Sequence, residues 1–274
     1  MRTLVHLSDL HFGRVDDALL DPPVKSIEDV NPDLVVVSGD LTQRARASQF
    51  KEAAAYLARL PSPQLVVPGN HDVPLYNVLY RFIRPLTDFK RYIQPDLSPK
   101  YIDAEIAVLG VNTARSLVFK NGRINEEQVA ELRTAFSPLP HEVLKVVVTH
   151  HPFDNGPDGE KHDLVGRAGM AMTAFAQCGV DLLLSGHFHV SHSDDSGGRY
   201  ALAGYEALVV SAGTATSTRG RGESNSFNVL QLSGRHIEVE RREWRPGEGK
   251  FVPVERDVFE RDGRGWRTIE EVKL

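Results

Sequence analysis

Five short, mostly apolar runs of this chain are each followed closely by residues that can bind metal ions, and this recurrence constrains the fold more than any other feature. Such runs, bounded by turn residues, are typical of buried strands. Helical spacing separates several of them, which predicts a mostly parallel sheet flanked by helices. The runs are Thr3–Leu7, Leu34–Val37, Leu65–Pro68, Val143–Thr149 and Asp181–Leu184.

The turn Gly69-Asn70-His71-Asp72, which follows the third run, carries three polar side chains in a row. Gly69 allows the backbone to turn sharply at the end of a strand. Asn70 offers a neutral carbonyl oxygen, His71 an imidazole and Asp72 a carboxylate. Taken alone, this turn has an ordinary explanation, because Asn and Asp are favoured in turns for local reasons.

The other four runs end in the same kinds of residue, and an open α/β sheet binds its ligands at the carboxyl ends of its strands. Imidazole and carboxylate groups suit a first-row divalent metal. In Asp9-Leu10-His11, an extended strand tip would point both ligand side chains to the same side. Seven candidate ligands are too many for one ion and suit two ions that share a carboxylate. The seven are Asp9, His11, Asp40, Asn70, His150, His187 and His189.

The composition is that of one soluble globular domain with a substantial core. The chain has 274 residues, of which 41% are hydrophobic and 25% are charged. Its formal net charge of −5 provides no general basic field for extended nucleic acid, although a local basic patch stays compatible with it. Cys178 is the only cysteine, which excludes an intrachain disulfide and a cysteine-rich zinc site.

The sequence also gives an expectation about location. It has no run of eighteen apolar residues that could form a transmembrane helix. Its N-terminus enters a strand directly, without the apolar segment of a signal peptide. We therefore expect a cytoplasmic protein.

Two of the helical regions between the runs described above contain prolines. The first extends from Val15 to Val30 and is interrupted at Pro22-Pro23. The second is a helical insertion at about residues 74–99, with two short helices split at Pro85. This insertion is rich in aromatic and basic residues and follows the third strand tip directly. The sequence leaves open whether it packs on the body, forms a lid beside an anionic substrate, contacts a membrane surface through residues 74–93, or mediates a homodimer.

The chain changes character after residue 200, where it is mostly strand-like up to about residue 260. We expect these strands to form an antiparallel second sheet that packs on the first. No repeat or convincing linker interrupts the chain, so residues 1–274 are predicted to form a single domain. The strands are Tyr200–Ala203, Ala207–Ser211, Phe227–Leu232, His236–Trp244 and Phe251–Glu260.

The ordered motifs resemble those of the calcineurin-like metallophosphoesterases. The pattern of that superfamily is Asp-x-His, Gly-Asp, Gly-Asn-His-Asp/Glu, a single His and then Gly-His-x-His. This chain has every part of it, over residues 1 to about 215. Two details are most similar to the motifs of the class III cyclic-nucleotide phosphodiesterases. They are the continuation Asp40-Leu41-Thr42 and the pair His150-His151 before Pro152.

The resemblance implies a four-layer α/β/β/α sandwich with two mixed sheets, which agrees with the two sheets inferred from the strand pattern. It also implies two divalent or trivalent ions per chain, of manganese, iron or zinc. Asp40 would bridge them. The ligands of one ion would be Asp9, His11, Asp40 and His189, and those of the other Asp40, Asn70, His150 and His187.

The resemblance further implies a dinuclear phosphoesterase. Two such ions lower the pKa of a bridging water and clamp a phosphate oxygen for in-line attack. His71 would face the phosphate, stabilising its charge or protonating the leaving oxygen, with Asp72 as its orienting partner. Substrate contacts are expected from Arg44, Arg115, His151 and His162, although His151 also has a structural explanation, because it should point away from the site.

A small phosphodiester, such as a cyclic nucleotide, is the leading substrate prediction. The Gly39-Asp40 motif lacks the Val-Asp-Arg-Gly continuation of the protein Ser/Thr phosphatases, which argues against a phosphoprotein. No further cationic cluster accompanies the motifs, so a diester is expected to react faster than a monoester. The alternatives are a nucleotide-lipid pyrophosphatase resembling UDP-2,3-diacylglucosamine hydrolase and, less favoured, a metal-free scaffold. The substrate, the native metal and the oligomeric state stay open.

Overall fold

The computed structural model of the chain describes residues 1–75, 78–116, 121–154, 164–195, 205–219, 222–262 and 265–274. Within these residues the strands are β1 Arg2–Leu7, β2 Leu34–Val37, β3 Gln64–Val66, β4 Lys100–Ile102, β5 Ile106–Gly110, β6 Leu144–Val148, β7 Leu182–Ser185, β8 His192–Asp195, β9 Leu208–Ser211, β10 Ser226–Leu232, β11 His236–Arg245, β12 Lys250–Arg261 and β13 Trp266–Lys273. The α-helices are α1 Asp21–Val30, α2 Ala47–Leu57, α3 Val78–Ile83, α4 Thr87–Tyr92, α5 Glu126–Phe136 and α6 Ala168–Cys178. Short 3-10 turns lie at Asp17–Leu19 and Asn70–Asp72.

The described strands form two mixed sheets. One has the order β13-β12-β11-β10-β1-β2-β3, and the other has the order β4-β5-β6-β7-β9-β8. In the first sheet β1, β2 and β3 are parallel, and in the second β5, β6, β7 and β9 are parallel. The remaining pairs are antiparallel. The parallel strands therefore lie at one end of the first sheet and in the centre of the second, and their carboxyl ends can carry ligands.

Three apolar layers hold the two sheets and their helices together. The middle layer lies between the sheets, with Leu4 and Leu230 from one and Val146 and Leu184 from the other. The other two layers pack the outer face of each sheet against helices: α1, α2 and α4 on one side, and α5 and α6 on the other. This is a four-layer α/β/β/α sandwich, and the predicted fold class is confirmed.

The strands after residue 205 do not form a sheet of their own, and the expectation of a separate antiparallel second sheet is wrong. Strand β10 pairs antiparallel with β1, so β10–β13 extend the first sheet. Strand β9 instead joins β7 in the second sheet. Alternation of apolar residues predicts a strand but not its partner, because pairing is decided by long-range packing. The predicted strand Tyr200–Ala203 lies outside the described residues.

The helices begin and end where local chemistry allows. Pro22 and Pro23 do not interrupt a helix but lie in the first turn of α1, where backbone N–H groups have no partner in the helix. Asn31 ends α1 in a left-handed conformation. Helices α3 and α4 lie on either side of Pro85. None of the described helices is long and apolar enough to cross a membrane.

We expect Leu230→Ala to lower the free energy of unfolding by about 2–5 kcal/mol, because it opens a cavity between the sheets. Leu230 is fully buried in the middle layer. Ile269 on β13 is a matched control, since it is about half exposed, and Ile269→Ala should change stability by less than about 0.5 kcal/mol. Urea titrations of the three proteins measure both values, and equal losses in the two variants would contradict this packing.

Candidate metal centre

The candidate ligands lie in loops that follow strands of both sheets. Asp9, Asp40 and Asn70 follow β1, β2 and β3 of the first sheet, while His150 and His187 follow β6 and β7 of the second. Their ligand atoms form overlapping groups in which the atoms of each group lie within 4.8 Å of one another. The groups are Asp9–His11–His189, His11–Asp40–His71, Asp9–Asp40–His150 and His150–His151–His187. Six of the seven predicted ligands are therefore brought to one place, and Oδ1 of Asn70, the seventh, lies 3.2 Å from Nε2 of His150.

Several of these residues have a left-handed backbone. The φ angles are 54° at Asp9, 50° at His11, 53° at Asp40, 75° at His187 and 61° at His189. The expected extended tip at Asp9-Leu10-His11 is therefore wrong, and the turn of the chain brings both side chains to the site. Left-handed non-glycine residues are costly and cluster at functional sites, where the surrounding structure holds them.

Two glycines allow the loops to approach one another. A Cβ on Gly69 would collide with the carboxylate and backbone nitrogen of Asp40. A Cβ on Gly186 would collide with the hydroxyl of Ser8. Both positions therefore need glycine because of close packing in the site and not because of the turn, since Gly69 has an ordinary extended backbone with a φ of −104°.

The first half of the site is built around one carboxylate oxygen. Oδ1 of Asp9 lies 3.4 Å from Nε2 of His11 and 3.6 Å from Nε2 of His189. Both Asp9 Oδ1 and His11 Nε2 are buried and make no regular hydrogen bond within the described chain. The other oxygen, Oδ2, accepts hydrogen bonds from the Ser8 hydroxyl at 2.6 Å and the His187 backbone N–H at 3.0 Å. A cation beside Oδ1 would satisfy the remaining lone pairs.

The second half is built around His150. Its Nδ1 lies 2.8 Å from the carbonyl oxygen of Ser38, which can only accept, so Nδ1 carries the proton of the neutral ring. Nε2 therefore holds a lone pair, yet it faces Oδ1 of Asn70 at 3.2 Å and Oδ1 of Asp40 at 3.4 Å. His187 Nδ1 lies 3.3 Å away. Three acceptors thus converge on Nε2, which needs a second proton or a shared cation to face them, and this set suits a metal ion.

Asp40 joins the two halves. Its Oδ1 faces His150, and its Oδ2 lies 3.7 Å from Nε2 of His11, which belongs to the first half. Burial raises the pKa of the Asp40 carboxyl, but the neighbouring histidines, His150 first among them, outweigh burial and hold that pKa well below its usual range. Asp40 is therefore a charged carboxylate between two groups of imidazoles.

The histidines differ in charge. Burial lowers the pKa of His150, but the charge and hydrogen bond of Asp40 outweigh it and raise that pKa to about 9. Burial lowers the pKa of His187 to about 3 and that of His189 to about 4. His187 and His189 are therefore neutral and ready to bind a metal, whereas a metal at His150 would replace its proton.

A model of the family described as Calcineurin-like phosphoesterase matches residues 2–191. The chain belongs to this family. It is thus a metal-dependent phosphoester hydrolase, and its two ligand groups around Asp40 are the dinuclear candidate site of a metallophosphoesterase.

Curated relatives of this calcineurin-like phosphoesterase include phosphodiesterases. The 3′,5′-cyclic adenosine monophosphate phosphodiesterase CpdA of Escherichia coli K12 is 26% identical over 215 residues, which are 73% of this chain and 74% of CpdA. The glycerophosphodiester phosphodiesterase GpdQ of Enterobacter lignolyticus is 26% identical over 171 residues, covering 56% of this chain and 58% of GpdQ.

Solved structures share the fold. A structure of PhoD has a TM-score of 0.75 at 12% identity and covers all of this chain and 72% of its own. A dimetal phosphatase from Danio rerio has a TM-score of 0.64 at 15% identity, covering 92% of this chain and 98% of its own. At these identities the likeness concerns the fold alone.

His71 faces a cleft above the ligands. Its Nδ1 lies 3.0 Å from the carbonyl oxygen of Gln43, so Nδ1 carries the proton and Nε2 the lone pair. The guanidinium of Arg219 donates to Nε2 at 2.9 Å, while Oδ2 of Asp40 lies 4.0 Å from it. His71 Nε2 is near enough to His11 and Asp40 to be a ligand, but Arg219 already occupies its lone pair.

Asp72 is not in the orienting position expected for it. Its carboxylate accepts hydrogen bonds from the backbone N–H groups of Leu41, Thr42 and Gly69 and from the Thr42 hydroxyl, at 2.9–3.1 Å. The ring of His71 is oriented by Gln43 instead. Asp72 thus ties the Asp40 loop to the Asn70 loop. Burial, with Asp40 nearby, raises its pKa to about 6 against these hydrogen bonds.

The predicted substrate contacts fall in different places. Arg44 lines the cleft, which has a volume of about 290 Å³. His151 is buried beside His150 and His187, with Nδ1 2.7 Å from the Thr113 hydroxyl, and is not among the cleft residues. Arg115 lines a separate cavity and hydrogen-bonds Gln128. His162 lies outside the described residues.

Arg219 is the cleft residue that the motifs missed. It lies beyond β9, outside every ligand motif, and lines the cleft together with Arg44. This pair of arginines corrects the expectation that no further cationic cluster accompanies the motifs. The sequence feature that could have indicated this residue is the basic, glycine-rich stretch Arg219-Gly220-Arg221-Gly222. It contains no residue type that binds metal ions, so the metal motifs do not include it.

We expect Asp40→Ala to remove more metal and more activity than Asn70→Ala. The first change deletes the charged carboxylate between both halves, whereas the second deletes one neutral oxygen. Because Asp40→Ala should lose metal ions and their positive charge, we expect its turnover to fall by a factor of about 100 or more. Elemental analysis and turnover on the same protein samples measure both effects. If Asp40→Ala keeps two ions per chain and near-normal turnover, the shared-carboxylate assignment is wrong.

Proposed function

We propose that the chain is a two-metal phosphodiesterase that hydrolyses small phosphodiesters, with cyclic nucleotides among them. The observation that carries this proposal is the pair of buried ligand groups that share Asp40 at the floor of one cleft. A metal-free scaffold would not need buried imidazole and carboxylate acceptors that converge on one another, so the ligand geometry favours an enzyme over a scaffold.

The relatives and the cleft support a small diester. CpdA and GpdQ are named for a cyclic nucleotide and for glycerophosphodiesters. Leu75, which is 37% exposed, lines the cleft of about 290 Å³ and offers apolar surface to an organic substituent. A diester carries two such substituents and a monoester carries one, so this surface would favour the diester. The net charge of −5 offers no extended basic surface for a nucleic acid polymer.

The ligand roles follow from the two halves of the site. Asp9, His11, Asp40 and His189 would hold one ion, and Asp40, Asn70, His150 and His187 the other. When bound, such a pair of ions activates a water molecule and neutralises phosphate charge. Manganese, iron and zinc all suit these ligands, so the identity of the metal stays a prediction. The cytoplasmic location and the homodimeric assembly also stay predictions.

The chain's own residues place the substrate and move a proton. The Gln43 carbonyl holds Nδ1–H of His71, which leaves Nε2 as the atom that faces the cleft. From there His71 would donate a hydrogen bond to the phosphate, or pass a proton to the leaving oxygen, when Nε2 is protonated. Asp72 keeps the loops of Asp40 and His71 at a fixed distance through its backbone hydrogen bonds.

One observation favours a second candidate, a nucleotide-lipid pyrophosphatase resembling UDP-2,3-diacylglucosamine hydrolase. Helix α3 exposes Leu79, Phe82 and Ile83. The partly exposed Leu75, which precedes this helix by a few residues, lines the cleft. Exposed apolar side chains beside basic ones suit contact with a membrane surface, where a lipid substrate resides. This contact through residues 74–93 belongs to the alternative proposal.

We expect His71→Ala to keep both ions but to lower kcat by a factor of about 100 or more, because a positioned acid or charge stabiliser is lost. His141 is a control in an exposed turn, and His141→Ala should leave the rate unchanged. Metal analysis accompanies the kinetics. Finding one ion missing in His71→Ala would make His71 a ligand and end the role proposed here.

We expect the metal-loaded protein to cleave bis(p-nitrophenyl) phosphate and a 2′,3′- or 3′,5′-cyclic nucleotide with a higher kcat/KM than p-nitrophenyl phosphate. The apolar side chain of Leu75 in the cleft and the two named relatives are the reasons. The same panel includes UDP-2,3-diacylglucosamine. A faster monoester at equal metal and pH would contradict the diesterase proposal, and preference for the lipid nucleotide would favour the second candidate.

A further inference from the structure

Arg219 is fixed above the candidate metal centre by a loop that is anchored to the first strand tip. Ala215 donates a backbone hydrogen bond to Ser8, and the Thr216 hydroxyl donates to the carbonyl of Leu10. Backbone N–H of Arg219 itself donates to the Ser217 hydroxyl at 3.0 Å. The loop is therefore attached to the segment that carries Asp9 and His11, and Arg219 is held in register with it.

The guanidinium of Arg219 is half buried and faces acidic groups as well as the cleft. Burial lowers the pKa of Arg219 and outweighs the charges of Asp40 and Asp9, which raise that pKa, while Arg14 and Arg44 lower it further. An arginine remains charged under these conditions, so a permanent cation lines the cleft next to the candidate ligands.

The hydrogen bond of Arg219 to His71 uses only a small part of its capacity. A guanidinium has five N–H donors in a planar fork, whereas the lone pair of a neutral imidazole accepts one. The oxygens of a phosphate are negatively charged, and they bind a guanidinium more strongly than a neutral acceptor does, often through two donors. A phosphate in the cleft would therefore compete successfully with His71 for this guanidinium.

We propose that Arg219 binds a non-bridging oxygen of the substrate phosphate, exchanging its contact with Nε2 of His71 for that oxygen. This inference rests on the proposed phosphoesterase function. Arg219 is then a substrate-binding residue and releases His71 to face the ester. Because a monoester carries nearly two negative charges and a diester one, Arg219 also contributes more to monoester binding and so limits the preference for diesters.

The direct test is the binding of inorganic phosphate to the metal-loaded protein, measured by calorimetry. Arg219→Met is compared with Arg14→Ala, which removes the same charge from an exposed neighbour that does not line the cleft. We expect Arg219→Met to bind phosphate about tenfold or more weakly than Arg14→Ala, as for a lost hydrogen bond to a charged group. A difference below about threefold overturns the proposal, and any larger one supports it.

A second set of variants separates contact with phosphate from action through His71. In the His71→Ala background, adding Arg219→Met should weaken phosphate binding by about the same factor as in the wild type, because the guanidinium itself touches the anion. If that loss disappears, Arg219 acts only by orienting His71 and the proposal is wrong. Arg219→Lys keeps the charge without the fork and should lie between wild type and Arg219→Met. Loss of metal from Arg219→Lys would also overturn it.

Turnover then tests specificity. Arg219→Met should lower kcat/KM for p-nitrophenyl phosphate by a larger factor than for bis(p-nitrophenyl) phosphate, and equal factors would contradict the specificity role. The two proposals fail in different ways. An inactive metal-loaded wild type removes the proposed function whatever phosphate binding shows, whereas an active wild type with Arg219→Met equal to Arg14→Ala removes only the role of Arg219.

Discussion

The structure depends on one electrostatic constraint, which is the burial of carboxylate and imidazole acceptors against one another, so that a proton or a cation is needed between them. Oδ1 of Asp40 and Oδ1 of Asn70 both face the lone pair of His150 Nε2, at 3.4 and 3.2 Å. Oδ1 of Asp9 and Nε2 of His11 repeat the arrangement at 3.4 Å. Such groups are costly to bury unless a proton or a cation lies among them. A second proton on His150, whose pKa is raised to about 9, is one way to meet this cost, and the two metal ions proposed here are the other.

The fold supplies this arrangement by placing strand ends from two sheets at one edge. The first sheet contributes the loops after β1, β2 and β3, and the second contributes those after β6 and β7. The apolar layer between the sheets therefore supports the site as well as the stability of the chain. Asp72 performs the corresponding task locally, because its backbone hydrogen bonds connect the turns at Asp40 and Gly69. A substitution in the apolar layer or at Asp72 would therefore displace the metal-binding side chains without changing any of them.

The sequence allowed prediction of the features that depend on local pattern. Apolar runs ending in Asp9, Asp40 and His150 predict strand tips at one edge, and the ordered motifs carried the family and the four-layer fold. It did not allow prediction of which sheet the last strands join, since pairing is a long-range choice. It also could not place Arg219, which reaches His71 across 148 positions of sequence and belongs to no ligand motif. The sequence likewise suggested Arg115 as a substrate contact, but its side chain hydrogen-bonds Gln128 and lines a separate cavity. Neither contact can be read from the local sequence.

The most direct test of two ions sharing Asp40 is anomalous diffraction from crystals of the manganese-loaded wild-type protein. Data collected on both sides of the manganese absorption edge locate each ion without any assumption about activity. The account predicts two anomalous peaks per chain, one beside Asp9 and His11 and the other beside Asn70 and His150, with a carboxylate oxygen of Asp40 bound to each. A single peak, or two peaks of which only one contacts Asp40, would contradict it.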